Sequence, residues 1–460
     1  IKEEGNIMSK WYETAIFYHI YPLGLCGTPG ENTGEGVEHR LPGLEKWLPH
    51  IAELGCQGLY IGPLFESSSH GYDTKDYKLV DRRLGDNEDM KHFVEAAHEL
   101  GIKVVVDGVF NHTGREFFAF EDIRRNREGS RYCGWYKGIN FGWNSAYNDG
   151  FGYESWRNCG NLVNLNLQNP EVKNYLFDVI RFWIREFDID GIRLDCADCL
   201  DFDFMKEMRW ITSQEKEDFW LMGEVIHGDY GRWANQEMLH SVTNYELHKG
   251  LYSGHNDHNY FEIAHTIRRQ FDENGGIYRG RILYSFVDNH DVSRIVNKLQ
   301  DQGHLKPVYT LMYTLPGVPS IYYGSEWGIQ GRKEDGDPAL RPAIDLDEIQ
   351  KNPPVPGLKE FLTALGKCRK EYPVIGQGRY RELVLTNRQY AFARIGEGEA
   401  AVIAVNNDNQ EAQMRIRLPL NAKRVSDLFS GEPVEMASGE LCVTVPADGC
   451  CLFYCTENPD

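Results

Sequence analysis

Four short segments combine acidic, basic and imidazole side chains at places where an apolar run would otherwise simply stop. They read Asp107-Gly-Val-Phe-Asn111-His112, Gly191-Ile-Arg193-Leu-Asp195, Gly223-Glu224-Val225 and Phe286-Val-Asp288-Asn289-His290-Asp291. In the second, the alternation of a strand puts Arg193 and Asp195 on one face and Ile192 and Leu194 on the other. A guanidinium beside a carboxylate keeps it ionised at neutral pH, as a nucleophile requires. An ordinary strand-end ion pair has the same signature. Glu224 and Asp291 shift the balance, because they recur at the ends of other apolar runs and would converge with Asp195. Converging carboxylates repel each other, which raises the pKa of at least one. One ionised and one protonated carboxyl, roughly 5–5.5 Å apart, is what double displacement at an acetal carbon uses.

The elements that must position these groups are legible as an alternation of β-rich runs and amphipathic stretches. Candidate strands are Ile16–Leu23, Gly58–Leu64, Lys103–Phe110, Gly191–Cys196, Trp220–Val225, Val242–Leu247, Ile282–Val287 and Ser320–Tyr323. Helical periodicity covers Asn87–Leu100, with Met90, Phe93, Val94, Ala97 and Leu100 on one side, and Pro170–Phe187. Eight strands, each followed by a helix, predict an α/β fold, the parallel (β/α)8 TIM barrel. A doubly wound sheet is the competing topology, but it rarely uses so many units. In a barrel the chemistry sits at the C-terminal ends of the strands, where the βα loops build a cleft.

Two regions break the rhythm. From Asn111 to about Pro170 the chain is rich in Gly, Asn, Tyr and Trp and far exceeds the usual ~2–6 residues of a βα loop, so an inserted subdomain over the barrel mouth is expected. After about Tyr372, Arg379–Leu385, Tyr390–Ile395, Ala400–Asn406, Ala412–Leu418 and Leu441–Val445 read as short strands separated by turns, which predicts a C-terminal antiparallel β-sandwich. The expected division is barrel 1–110, insert 111–169, barrel 170–375 and sandwich 376–460.

A formal net charge of −20 repels phosphate, so nucleic acid and anionic membrane are not expected as partners, whereas a neutral sugar is compatible. Aromatics at 12% serve a carbohydrate cleft or a well-filled core equally well. The cysteines number 11 and follow no framework spacing, so free thiols in a reducing compartment are expected. Cys196-x-x-Cys199 resembles a redox or metal pair, but no second pair or nearby His cluster accompanies it, and its spacing reads as incidental. No signal peptide or bilayer-spanning run is visible and Met8-Ser9-Lys10 looks like a natural start, so a cytoplasmic protein is expected.

The four segments, in this order, resemble the four signature regions of the α-amylase superfamily, glycoside hydrolase family 13. Tyr21-Pro22, His70-Gly71-Tyr72-Asp73 with Asp76-Tyr77, and Gly317-x-Pro319-x-Ile-Tyr-Tyr-Gly324-x-Glu326 extend the resemblance over nearly the whole chain. The resemblance implies that Asp195 is the nucleophile and that Glu224 is the general acid and then the base. Asp291 becomes the third carboxylate, gripping ring hydroxyls and favouring distortion of the ring. Arg193, His112 and His290 match contacts to that ring, Tyr72 its stacking platform, and Asp337 and Arg341 donor-side contacts. A satisfied strand-end histidine and plain core packing of Tyr72 are the competing readings.

Within the superfamily, Asn111-His-Thr-Gly, Phe117-Phe118-Ala-Phe120, Ser130-Arg131-Tyr132 and Asp195-Cys-Ala-Asp198-x-x-Asp201 resemble the cyclomaltodextrinase, neopullulanase and maltogenic amylase group. That group acts on cyclodextrins, short maltodextrins and pullulan; its N-terminal β-domain is not expected ahead of the first strand here. Ile226 stands where the group usually has Trp, and Asn161-Leu-Val-Asn164-Leu-Asn166 where it has a Pro-containing motif, so acceptor-side preference does not carry over. The expected activity is retaining cleavage of α-glucosidic, mainly α-1,4, bonds in short α-glucan oligosaccharides. An α-glucosidase or glucanotransferase sharing the covalent intermediate is the alternative, followed by a non-catalytic sugar-binding barrel. Oligomeric state is not specified. Asn111 matches a calcium-ligand position, but Asp198-Cys199 replaces the usual Lys-His and a hard cation needs several oxygen ligands. No obligatory cofactor is expected, and calcium is left open.

Overall fold

Runs of β-branched and aromatic residues, buried on both faces, form eight short strands: β1 (Phe17–Ile20), β2 (Gly58–Ile61), β3 (Lys103–Gly108), β4 (Gly191–Leu194), β5 (Trp220–Gly223), β6 (Ser241–Val242), β7 (Tyr284–Phe286) and β8 (Val318–Tyr322). The computed structural model describes residues 10–458, and the start assigned to Met8 lies outside them. The strands pair in the order β6-β5-β4-β3-β2-β1-β8-β7, in parallel throughout. The ring closes through one parallel bridge, Thr243 to Tyr284, where the Asn244 N–H donates to the Tyr284 carbonyl at 2.8 Å. Closure makes the sheet a barrel and rules out the doubly wound alternative.

Alternate residues point inward and fill the barrel in layers. Its floor is apolar: Phe17, Val105, Trp220, Met222, Tyr284, Phe286 and Val318 pack together, with Tyr12 beneath them. The Trp220 ring stacks on Phe17 at 4.7 Å. Gly58 makes room for that layer, since a Cβ there would stand 2.6 Å from the Phe17 ring. The outward residues Leu59, Ile61, Val104, Val106, Ile192 and Leu194 join the core beneath the surrounding helices.

Those helices begin where the local chemistry dictates. α1 (Asn87–Glu99) opens with a capping box in which Asp86 and Asp89 each accept the other's backbone N–H at 3.0 Å. α2 (Pro170–Phe187) starts at Asn169, whose side chain accepts from Glu171 N, with Pro at the first helical position, and ends at Asp188 in the left-handed region. Its buried stripe includes Val172, Leu176, Ile180, Trp183 and Phe187. α3 (Phe202–Glu215) is capped by Asp201. α4 (Tyr245–Asn256), α5 (Tyr260–Phe271), α6 (Leu305–Thr314) and α7 (Leu358–Glu371) complete the larger helices.

Three expectations need correction. The first strand stops at Ile20 instead of running to Leu23, because Pro22 opens a helical turn over Pro22–Leu25. The sixth strand stops at Val242 instead of running to Leu247, because Asn244 turns the chain and caps α4 by accepting the Leu247 N–H at 3.1 Å. The strict strand–helix alternation also fails: β5 is followed only by the 3-10 turn Tyr230–Arg232, while β6 is followed by both α4 and α5.

The insert leaves after β3 and returns at α2. Its root is a two-residue antiparallel pairing of His112–Thr113 with Val163–Asn164. Around the helix Phe118–Asn126, the buried Phe120 and Ile123 form its apolar centre, and Arg115 grips Asp149 with two hydrogen bonds of 2.8 and 2.7 Å. At the C-terminus, β9 (Arg379–Leu385), β10 (Gln389–Ile395), β11 (Glu399–Asn406), β12 (Ala412–Arg417), β13 (Arg424–Asp427), β14 (Glu440–Val445) and β15 (Gly449–Thr456) form a five-stranded sheet β9-β10-β11-β15-β13 packed on the pair β12-β14. β13 and β15 were not anticipated. Among the described residues no helix is long and apolar enough to cross a membrane.

Candidate active site

One layer above the apolar floor, the inward side chains become charged. Parallel register sets Asp107 of β3 opposite Arg193 of β4, and Arg193 opposite Met222 of β5, so Glu224 follows just beyond. Arg193 Nη1 donates to Asp107 Oδ1 and to Asp195 Oδ1, each at 3.0 Å, while Nη2 lies 3.0 Å from Glu224 Oε2. One guanidinium thus ties three carboxylates from three strands. The other Asp107 oxygen accepts from Tyr60 at 2.7 Å and from Tyr72 at 3.2 Å.

After Asp195 the chain turns sharply. Cys196 adopts φ 36°, ψ 54°, a left-handed conformation that costs a non-glycine residue roughly 1–2 kcal/mol. The turn aims the Cys196 N–H at Glu224 Oε2, 3.0 Å away, and its thiol at Asp195 Oδ2, 3.4 Å away. Three of the four carboxyl oxygens of Asp195 and Glu224 therefore receive donors, and Glu224 Oε1 receives none among the described residues. Asp291 is held from the opposite side by Arg341 Nη2 at 2.9 Å and by its own N–H, bonded to Asn289 Oδ1. His290 Nε2 sits 2.6 Å from the Tyr72 hydroxyl and 3.2 Å from Asp291 Oδ2. The pairing at the insert's root delivers His112 next to Asp195 and Cys196, with one ligating atom of each within 4.8 Å of the others.

Burial raises the Asp195 carboxyl well above the ordinary range, opposed by Arg193 and reinforced by the charges of Glu224 and Asp107. Burial likewise raises Glu224, again against Arg193, and the Asp291 charge adds to the rise. Groups this close titrate together, so the pair keeps a proton to higher pH than an isolated carboxyl would. Burial pushes His112 down to about 3 and His290 well below its usual value, and both are neutral at pH 7. His112 Nε2 and His290 Nδ1 are buried without a hydrogen-bond partner among the described residues. Such atoms carry a desolvation cost that a ligand's hydroxyls would relieve. The mouth can therefore offer a proton, an ionised carboxylate and neutral polar groups, which is the equipment for breaking an acetal bond.

Residues 19–353 match the alpha amylase catalytic domain, and residues 380–452 the maltogenic amylase C-terminal domain. The chain belongs to the α-amylase family of glycoside hydrolases. It is 31% identical to a cyclomaltodextrinase of Geobacillus thermopakistaniensis over 96% of this chain and 77% of that one. Neopullulanase 2 of Thermoactinomyces vulgaris is 30% identical over 96% of this chain and 78% of its own. Among solved structures, the acarbose-soaked debranching enzyme of Nostoc punctiforme superimposes with a TM-score of 0.80 at 27% identity, covering 96% of this chain and 98% of that chain.

Of the residues singled out by the α-amylase resemblance, Arg193, Asp195 and Glu224 meet directly, and Tyr72, His290, Asp291 and Arg341 form a second connected group facing them. Tyr72 stacks on His290 with 5.8 Å between ring centres. Asp337 joins that group only through Arg341, 3.3 Å away; its side chain is about half exposed and also held by Lys333 at 2.6 Å. Sequence reasoning assigned no role to Asp107 or Tyr60, since their partnership with Arg193 depends on cross-strand register. It read the Cys196-x-x-Cys199 spacing as incidental and gave Cys196 no role of its own; the thiol touches Asp195 and lies beside a histidine. Around Asn111 the side-chain amide is spent on His112 Nδ1 and Asn164 Oδ1, at 3.2 and 3.4 Å. Asp201 points its carboxylate at the start of α3, where it caps Phe204 N. Asn111 and Asp201 do not gather the several oxygen ligands that calcium takes.

Proposed function

We propose that the protein is a retaining hydrolase of α-glucosidic, mainly α-1,4, bonds in maltodextrins, cyclodextrins and related short α-glucans. The observation that carries the reading is the single guanidinium of Arg193 shared between Asp195 and Glu224, which holds both carboxyls at one sugar-sized position. Among the described residues Glu224 Oε1 receives no donor, and it is the oxygen suited to hold the shared proton. It passes that proton to the glycosidic oxygen as Asp195 attacks the anomeric carbon; the bond to the leaving sugar breaks and a glycosyl ester forms. Glu224, now ionised, takes a proton from water, whose oxygen attacks the same carbon and releases Asp195. Two inversions leave the configuration unchanged.

Arg193 keeps Asp195 anionic at the moment of attack, against the burial that favours its neutral form. Asp291, braced by Arg341, and the unpartnered His112 Nε2 and His290 Nδ1 suit the hydroxyls of the reacting ring. The names of the relatives, cyclomaltodextrinase and neopullulanase, support short and cyclic α-glucans as substrates. The eleven cysteines, all free, favour a reducing compartment, and we place the protein in the cytoplasm.

A product profile tests the reading. Maltotriose and β-cyclodextrin are expected to yield maltose and glucose, with the α-anomer appearing first by NMR. Initial release of the β-anomer, or no turnover on any α-glucan, would overturn it. Products longer than the substrate would make the enzyme a glucanotransferase with the same intermediate.

A further inference from the structure

Cys196 directly follows the proposed nucleophile, yet its sulfur takes no bond-making part in that reaction. Its neighbours include an imidazole as well as a carboxylate. His112 is 1% exposed, and its Nε2 has no hydrogen-bond partner among the described residues. One ligating atom each from His112, Asp195 and Cys196 lies within 4.8 Å of the other two. Nitrogen, oxygen and sulfur donors gathered in this way suit a borderline-soft divalent ion, whereas calcium and magnesium take oxygen alone. Tetrahedral zinc, with bonds of ~2.0–2.3 Å, holds its ligand atoms roughly 3.3–3.8 Å apart, so binding draws the three donors together. Arg193 is already shared among Asp107, Asp195 and Glu224, so an added cation meets a site with more negative charge than positive.

We propose that a thiophilic divalent cation, zinc foremost, binds on His112 Nε2, a carboxylate oxygen of Asp195 and the Cys196 sulfur, and reversibly blocks the sugar site. On binding, the thiol gives its proton to solvent, the sulfur–metal bond forms, and the hydrogen bond from the thiol to Asp195 is lost. Three protein ligands leave a fourth position for water, as in an open zinc site. The metal site rests on the donor geometry alone; the block rests on the proposed role of Asp195.

The test titrates the full chain with zinc chloride, following binding by calorimetry and maltotriose hydrolysis in parallel. One ion per chain is expected, with hydrolysis falling in step with occupancy, returning on chelation, and zinc binding weakened by saturating maltodextrin. Cadmium should produce thiolate-to-metal charge-transfer absorption in the wild type and none in Cys196→Ser. Cys196→Ser and His112→Ala should each weaken zinc binding by more than about 100-fold, beyond the 10–100-fold typical of losing an outer hydrogen-bond partner. Cys199→Ser, which removes a thiol that interacts with the Cys196 sulfur, should weaken it by no more than the ~10–100-fold of an outer partner. Undiminished binding in Cys196→Ser, loss of binding in Cys199→Ser, or zinc bound with hydrolysis intact would each overturn the proposal. Failure of the functional reading has a separate signature, namely wild-type turnover by Asp195→Asn.

Discussion

The floor and the mouth of the barrel interior are built from the same strands and follow opposite rules. At the floor, Phe17, Trp220 and Tyr284 are buried, with Trp220 stacked on Phe17 and Tyr284 edge-on to it, so nearly every atom contributes packing. A few residues along, β4 carries Arg193 and the chain just beyond β4 and β5 carries Asp195 and Glu224, whose burial works against their charged forms. The floor supplies stability that the mouth uses up, which is the usual relation between a scaffold and a strained site. Charge burial at the mouth is tolerated because one guanidinium satisfies three carboxylates at once.

The sharpest break in that comparison is Glu224→Gln. Loss of the proposed proton carrier should lower kcat by about 10²–10⁴-fold while leaving the urea midpoint nearly unchanged. Wild-type kcat in this variant would refute the acid/base assignment. Next comes Trp220→Ala, which should cost about 3–5 kcal/mol in denaturant unfolding through the cavity left beside Phe17. Activity per folded molecule should stay near that of the wild type; a loss of kcat at temperatures where the variant is fully folded would show that floor and mouth are not separable.

The smallest expected effect is on stability, through Asp195→Asn. The folded pKa of Asp195 lies above its unfolded value, so the wild type is penalised as pH rises and this buried group ionises. Below the unfolded carboxyl range both states are protonated and the penalty vanishes. The variant should therefore melt a few degrees higher at neutral pH, with the gain fading below about pH 4. A gain that grew toward acid pH would reverse the sign of the argument.

The polar strand ends were readable from the chain because an apolar run interrupted by Arg193, Asp195 or Glu224 has no packing reason to carry charge. Asp107 was no less visible as a residue, but its function lies in facing Arg193 across a register that one strand does not encode. The sixth strand was read too long because Val242, Tyr245 and Leu247 fit a strand and the first turn of a helix alike, and Asn244 decides between them by capping. In β15, the run Cys450-Cys451-Leu-Phe-Tyr-Cys455 offers no polar alternation, so periodicity was silent there. The encounter of His112 with Cys196 depends on how the insert is rooted, which composition does not specify.

A cylinder whose edges meet at a single bridge has a preferred place to part. The strands bordering the Thr243–Tyr284 seam are β6 and β7, so Asp291, just beyond β7, stands across it from β4 and β5, which share four consecutive register pairs. An opening at that edge would alter the gap between Asp291 and its two acidic counterparts before it disturbed the spacing within the pair.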